Sequence, residues 1–234
     1  MSFAAYAGLL ARGLVSVLLL WSGDSQARAA PPAPAPAENG CLRATLLTER
    51  QAGLPRGLLL GIALVESGRG GQPNAVVLRG RDGRSHWGDA AWRQVRQGGL
   101  KHAHLGCMQL SVFWHGDQFP NHGAMLDPAR NVAYAGAYLQ QLRARAGSWR
   151  KAVLHYYGGQ PAASAAYLCR VHAALVALGA PAAALLQRRR CAELPTIEDT
   201  LRQQFRMSLS GAGQDGRRPG KSRLGSQAPH EELP

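Results

Sequence analysis

No two cysteines in this chain stand two residues apart, so neither a zinc ribbon nor a thioredoxin-type redox site is signalled. The N-terminal apolar run LVSVLLLW, Leu14 to Trp21, falls well short of the roughly 20 residues a spanning helix needs, which argues against a permanent membrane anchor. The AENG before Cys41 lacks the aliphatic residue that a lipoprotein signal carries, so a lipid anchor is rejected too. Acidic residues are scarce: 14 Asp and Glu stand against 27 Lys and Arg, for a formal net charge of +13. A surface that basic suits an anionic polymer: nucleic acid, a membrane or the cell wall.

What is present points to export. Arg12, the short apolar run and Ala27-Arg28-Ala29 together read as a signal peptide over residues 1–29, with cleavage after small residues. An exported, periplasmic protein of a Gram-negative cell is expected, which leaves no role for nucleic acid. PPAPAPAENG then makes a Pro/Ala linker over 30–40.

The remaining chain reads as one mainly α domain over 41–192. CLRATLLTERQAG predicts a first helix stopped by Gly53, and Pro55 suits the first turn of a second. Leu58, Leu59, Ile62 and Val65 form the buried face of that second helix, which ends at Glu66-Ser67-Gly68. Residues 68–104 are Gly-rich with scattered Arg and His, and read as a long loop or small β-hairpin around AVVLRG. Asp127-Pro128 caps a helix carrying Val132, Ala135, Tyr138, Leu139 and Leu142, and Gly147 ends it. Further helices are expected from Ser148 to Gly158, over 161–178 and over 182–190. Ile197, Leu201, Phe205 and Leu209 recur every fourth residue, so 193–209 predicts an amphipathic helix that docks on the domain or a partner protein, followed by a disordered basic tail over 210–234.

Glu66 is the anomaly, a carboxylate at the end of an apolar run where full burial without a partner is rare. Its neighbours in sequence order are Gly106-Cys107-Met108-Gln109, the helix of NVAYAGAYL with Asn131 and Gly136, and AVLHYYGG with Ala152, Tyr156 and Gly159. Four such motifs in this order resemble the catalytic domain of soluble lytic transglycosylases, a branch of the lysozyme-like superfamily with a goose-type helical fold. The resemblance covers about residues 41–175. Tyr157 stands where the family commonly has Asn, Cys107 where it has an aliphatic residue, and the Glu66-to-Gly106 gap is long.

The resemblance implies that Glu66 is the catalytic acid and later the base, and that Gln109 contacts substrate. It places Tyr156 near the carboxyl and the sugar, has Ser67 orient acid or substrate, and has Met108 line the cleft. A carboxyl kept protonated near neutral pH needs apolar surroundings, for which Leu64, Val65 and Met108 are the candidates. Most glycosidases use a second carboxylate. Asp127 is engaged as a cap, and Asp82, Asp89 and Asp117 lie in loops. The family is thought to manage without one, using the substrate's N-acetyl group and its 6-hydroxyl to give a 1,6-anhydro product, with no metal and no cofactor. The substrate implied is peptidoglycan, cut between N-acetylmuramic acid and N-acetylglucosamine. Competing readings are a hydrolytic muramidase and a non-catalytic wall-binding assembly factor. A small exported relative suits recruitment by a flagellar, secretion or conjugation apparatus, among which the residues do not choose.

Two expectations concern sulfur and histidine. Cys169 and Cys191 lie eleven residues either side of a turn at Ala180, which brings them level on antiparallel helices and predicts a disulfide. Cys107 is then expected as a buried thiol, with Cys41 free or paired elsewhere. His102, His104, Cys107, His115 and His122 match no standard zinc spacing, and the histidines read as solvent-facing.

Overall fold

The computed structural model describes residues 39–186 and 196–210. The signal segment, nearly all of the linker, Arg188 to Arg190, Cys191 and the basic tail lie outside the described residues.

The first helix, α1 (Gly40–Ala52), starts at Asn39, whose side chain accepts from Leu42 N–H, and stops at Gly53 in the left-handed conformation. Pro55 does not open the second helix. Residues 54–57 form a turn, and α2 (Leu58–Ser67) follows a positive-φ Gly57. A Cβ on Gly57 would lie 2.5 Å from that of Ala180 and 3.0 Å from the Phe205 ring, so the close approach requires glycine. Leu58, Leu59, Leu60, Ile62 and Ala63 are all fully buried, the mark of a helix apolar on every side and central to the core.

Residues 68–104 are more ordered than a long loop. Strands β1 (Gly68–Arg69) and β2 (Gln72–Pro73) form one small antiparallel pair. Strands β3 (Val77–Arg79), β4 (Ser85–Trp87), β5 (His104–Leu105) and β6 (Leu110–Ser111) form an antiparallel sheet in the order β4-β3-β5-β6. Between β4 and β5 lies α3 (Asp89–Gln97), which carries Ala91 into the core and was not expected from sequence. Helix α4 (Val112–His115) continues from β6, and 3-10 turns lead to α5 (Pro128–Ala146).

Asp127 caps α5 by accepting from Arg130 N–H, and Gly147 ends it, as expected. Ser148 caps α6 (Trp149–Tyr157) in the same way. Helix α7 (Pro161–Leu178) is long and apolar enough to cross a bilayer, but here it packs against α2 and α6. Gly61 on α2 would place a Cβ 2.5 Å from Leu175, so these two helices meet at close range. The described part of the expected 182–190 helix is a 3-10 turn, Pro181–Leu186.

The C-terminal helix is α8 (Asp199–Ser210). Ile197, Leu201 and Phe205 are buried in the main core. Its apolar stripe is therefore consumed by the domain itself, and the helix is a structural part of it.

The cysteine pairing differs from expectation. Cys41 is bonded to Cys107, joining the start of α1 to the β5–β6 turn across 66 residues of sequence. Cys107 is thus no free thiol, and its departure from the aliphatic pattern is half of a crosslink that only tertiary packing reveals. Cys169 is also disulfide-bonded, and its expected partner Cys191 lies outside the described residues.

Candidate active site

A cleft of about 1340 Å³ runs between the small sheet with α4 on one side and helices α5, α6 and α7 on the other. Glu66, Gln109 and Tyr156 line it, whereas Ser67 and Met108 do not.

Glu66 occupies the last turn of α2, and the next residue fixes it there. Ser67 is 1% exposed. Its hydroxyl proton serves the carbonyl of Cys107 at 2.8 Å or that of Ala63 at 3.0 Å, and its oxygen accepts from Asn74 N–H at 3.2 Å. Ser67 therefore ties α2 to the β5–β6 turn and positions Glu66 through the backbone, without reaching the cleft. Met108 is fully buried in the core, and only its main chain serves the site.

The turn that carries Gln109 is held just as closely. Asn131 of α5 accepts from Met108 N–H at 2.8 Å and donates to the carbonyls of Leu105 at 3.0 Å and Met125 at 2.8 Å. A Cβ on Gly106 would lie 2.4 Å from the Met125 oxygen, so the motif's glycine makes room for this clamp. Gly136, one and a half turns further along α5, would place a Cβ 2.7 Å from Thr48, which shows it sets the α1–α5 approach. Gln109 itself has φ of 46°, an uncommon conformation for a side-chain-bearing residue. Its Nε2 donates to Gly106 O at 3.0 Å, which orients the amide and leaves the buried Oε1 without a partner.

The Glu66 side chain retains 12% exposure. Burial raises its pKa from 4.5 to about 7, against smaller lowering effects of Tyr167, Arg79 and Arg170. Arg79 donates to the Glu66 carbonyl oxygen at 2.6 Å and holds Nη1 3.9 Å from Oε2. Tyr167 is buried with its hydroxyl beside the carboxyl, close enough to lower the Glu66 pKa though short of full hydrogen-bond geometry. Tyr156 donates to Met108 O at 2.8 Å, and burial followed by the nearby Glu66 pushes its own pKa well above 10. Its proton is committed to a carbonyl, so Tyr156 braces the wall beside Glu66 and is no acid. The groups that act on the carboxyl are thus Tyr167, Arg79 and Arg170, where Leu64, Val65 and Met108 were the expected surroundings.

Among the described residues, Glu66 is the only carboxylate lining the cleft. Asp82 pairs with Arg84 at 3.6 Å in the β3–β4 turn, and Asp89 and Asp117 lie in the first turns of other helices.

Several residues at the site, some lining the cleft and Tyr167 buried behind it, escaped the sequence reading. Tyr167 is the one aromatic in an apolar stretch of α7, a signal that was there to be weighed. Arg79 ends the short strand of AVVLRG, where nothing local marks it. His104 and His115 line the cleft instead of an outer loop. His104 Nδ1 meets Gln109 O at 3.2 Å, and because that partner is a carbonyl, Nδ1 carries the proton. Burial lowers the pKa of both histidines, that of His115 to about 4, so both are neutral at neutral pH. Tyr157, the departure from Asn, stacks on Tyr167 with ring centres 4.7 Å apart, and a Cβ on Gly159 would collide with its ring.

No curated protein and no solved structure matches the chain. The family model described as the Transglycosylase SLT domain matches residues 46–167, just over half of the chain, from within α1 to Tyr167. That span holds Glu66, Gln109 and Tyr156 and the clamp that positions them. The chain therefore belongs to the SLT transglycosylase family, a lysozyme-like, mainly α domain whose activity is peptidoglycan lytic transglycosylation.

Proposed function

We propose that the protein is an exported lytic transglycosylase that cuts the β1,4 bond from N-acetylmuramic acid to N-acetylglucosamine and leaves a 1,6-anhydro end. The observation that carries this reading is a cleft in which, among the described residues, Glu66 is the single carboxylate, and burial keeps its proton near neutral pH. Glu66 gives that proton to the glycosidic oxygen as the bond from the muramic C1 breaks. Arg79, 3.9 Å away, then stabilises the carboxylate. The substrate's N-acetyl oxygen supports the positive charge at C1 until the 6-hydroxyl oxygen bonds there, and the Glu66 carboxylate takes the hydroxyl proton. The acid is restored and no water is consumed. One group serves both steps because they are sequential.

Gln109 lines the cleft with Glu66 and contacts the substrate there, and Tyr156 keeps the Met108 segment against the acid. An oxidising compartment, the periplasm, fits a chain whose Cys41, Cys107 and Cys169 are all disulfide-bonded.

Digestion of purified sacculi tests the reading. Muropeptides lighter by one water than hydrolytic products are expected. Free reducing ends would make the protein a hydrolytic muramidase with a water activated by Glu66, and intact sacculi would make it a binding protein.

A further inference from the structure

The wall of the cleft formed by α5 has a direction. Tyr134, Tyr138, Gln141 and Arg145 recur at helical spacing and all face the cleft. Tyr134 marks one end: its hydroxyl meets His115 Nδ1 at 3.0 Å, beside the exposed rings of Phe113 and Trp114. Tyr138 lies 6.0 Å from Tyr156, and so marks the level of Glu66. Arg145, in the last turn of α5, lies seven residues beyond Tyr138, about 10 Å further along the helix axis at 1.5 Å per residue.

At that far end the chain turns at Gly147 and Ser148, and Arg150 enters the cleft from the first turn of α6. Arg145 sits at a helix C-terminus, where a cation is favoured in any case. Arg150 sits at a helix N-terminus, where the dipole opposes a cation and no acid is present. Among the described residues the ion pairs are Arg79–Glu66, Arg84–Asp82 and Arg202–Asp199, and neither Arg145 nor Arg150 takes part in one. The corner holding them is itself fixed, with the Arg143 guanidinium 5.9 Å above the Trp149 ring. Two guanidinium groups outside any ion pair therefore face the cleft, that of Arg145 from about two turns of α5 beyond Tyr138, and among the described residues that line the cleft no carboxylate but Glu66 is present to meet them.

We propose that Arg145 and Arg150 form a subsite for the carboxylates of the stem peptide carried by the muramic lactyl group, making the enzyme selective for peptide-bearing glycan over bare glycan. The proposal rests on peptidoglycan being the substrate. A glycan stripped of its peptides carries one carboxylate per disaccharide, on the lactyl group at the sugar, whereas an intact stem peptide carries its carboxylates away from the sugar, where the two guanidinium groups stand. Carboxylates pair with guanidinium in a two-pronged geometry that lysine would not reproduce.

Retention on immobilised, uncrosslinked glycan strands, with stem peptides intact or removed by an amidase, tests this without depending on turnover. The full chain carrying Glu66→Gln is used so that nothing is cut. Peptide-bearing strands are expected to hold the protein about tenfold more tightly at low salt, with the preference shrinking as salt rises. Adding Arg145→Gln and Arg150→Gln should bring the ratio between the two materials to about one, and Arg145→Lys with Arg150→Lys should restore it only in part. Equal retention of the parent protein on both materials, or a preference that survives loss of both arginines, would overturn the subsite. If unmodified protein cleaves neither material, the enzymatic reading fails separately, and the retention ratio still decides this one.

Discussion

A glutamate lies at each end of helix α2, Glu49 reaching it from α1 and Glu66 in its own last turn, and the two differ in what surrounds them. Glu49 reaches from α1 to the N-terminus of α2, where Gly57 N–H donates to Oε2 at 2.7 Å and Leu59 N–H to Oε1 at 2.8 Å. Glu66 sits in the last turn, at the end where the helix presents carbonyls and the dipole disfavours negative charge. Burial raises both pKa values to about 7. Yet both Glu49 oxygens are engaged by backbone donors, so that carboxylate is a cap that closes the helix start. Glu66 has tyrosines and an arginine beside it and an open cleft in front. A raised pKa is common to both, so what favours Glu66 as the proposed acid is its place in the cleft wall.

Replacing each glutamate by its amide separates the two roles. Glu66→Gln keeps the shape but has no transferable proton, so cleavage of sacculi should fall by at least about a hundredfold with the fold intact. Stability should move the other way. The Glu66 pKa is higher folded than unfolded, so its contribution is fully present below about pH 4.5 and is lost as pH rises through about 7. Glu66→Gln should therefore melt above the wild type at pH 8, with the gap closing at pH 5, which a series of thermal melts would read.

Glu49→Gln should do the reverse. One amide nitrogen must face a backbone N–H, which leaves donors unpaired in the core and should cost about 2 kcal/mol in urea unfolding. Activity per folded molecule should persist; a loss of activity without a loss of stability would break the distinction.

Tyr156→Phe leaves the Met108 carbonyl without its hydrogen bond, and should lower the cleavage rate by about fivefold, since the lost bond is worth about 1 kcal/mol. The smallest effect is expected of Tyr167→Phe. Tyr167 lowers the Glu66 pKa, so its hydroxyl's removal should shift the alkaline limb of the pH–rate profile upward. A downward shift would show that the hydroxyl does not stabilise the carboxylate.

The same comparison explains what was legible in the sequence. Glu66 stood out because it ended an apolar run, and three later motifs gave it company. Glu49 lay in TLLTERQAG among polar residues and looked like surface, because its partners are backbone N–H groups that have no letter. Capping signals at Asn39, Asp127 and Ser148 involve neighbours three residues away, and of these the cap at Asp127 and the helix start at Ser148 were readable. Contacts across longer separations were not, such as the Cys41–Cys107 bond, the place of Arg79 beside Glu66, and the use of Ser67 as a tie to the Cys107 carbonyl. The α8 stripe was read correctly as apolar, and the structure fills it with Gly57 and Ala180 as neighbours of Phe205.

The central claim is that burial holds a proton on Glu66 near neutral pH. Carbon NMR of glutamate side-chain carboxyls, recorded against pH for the wild type, Glu49→Gln and Glu66→Gln, tests it most directly. The account predicts a resonance absent only from Glu66→Gln that titrates at about 7. A resonance assigned to Glu66 that titrates at about 4 to 5, in the ordinary range for glutamate, would contradict it.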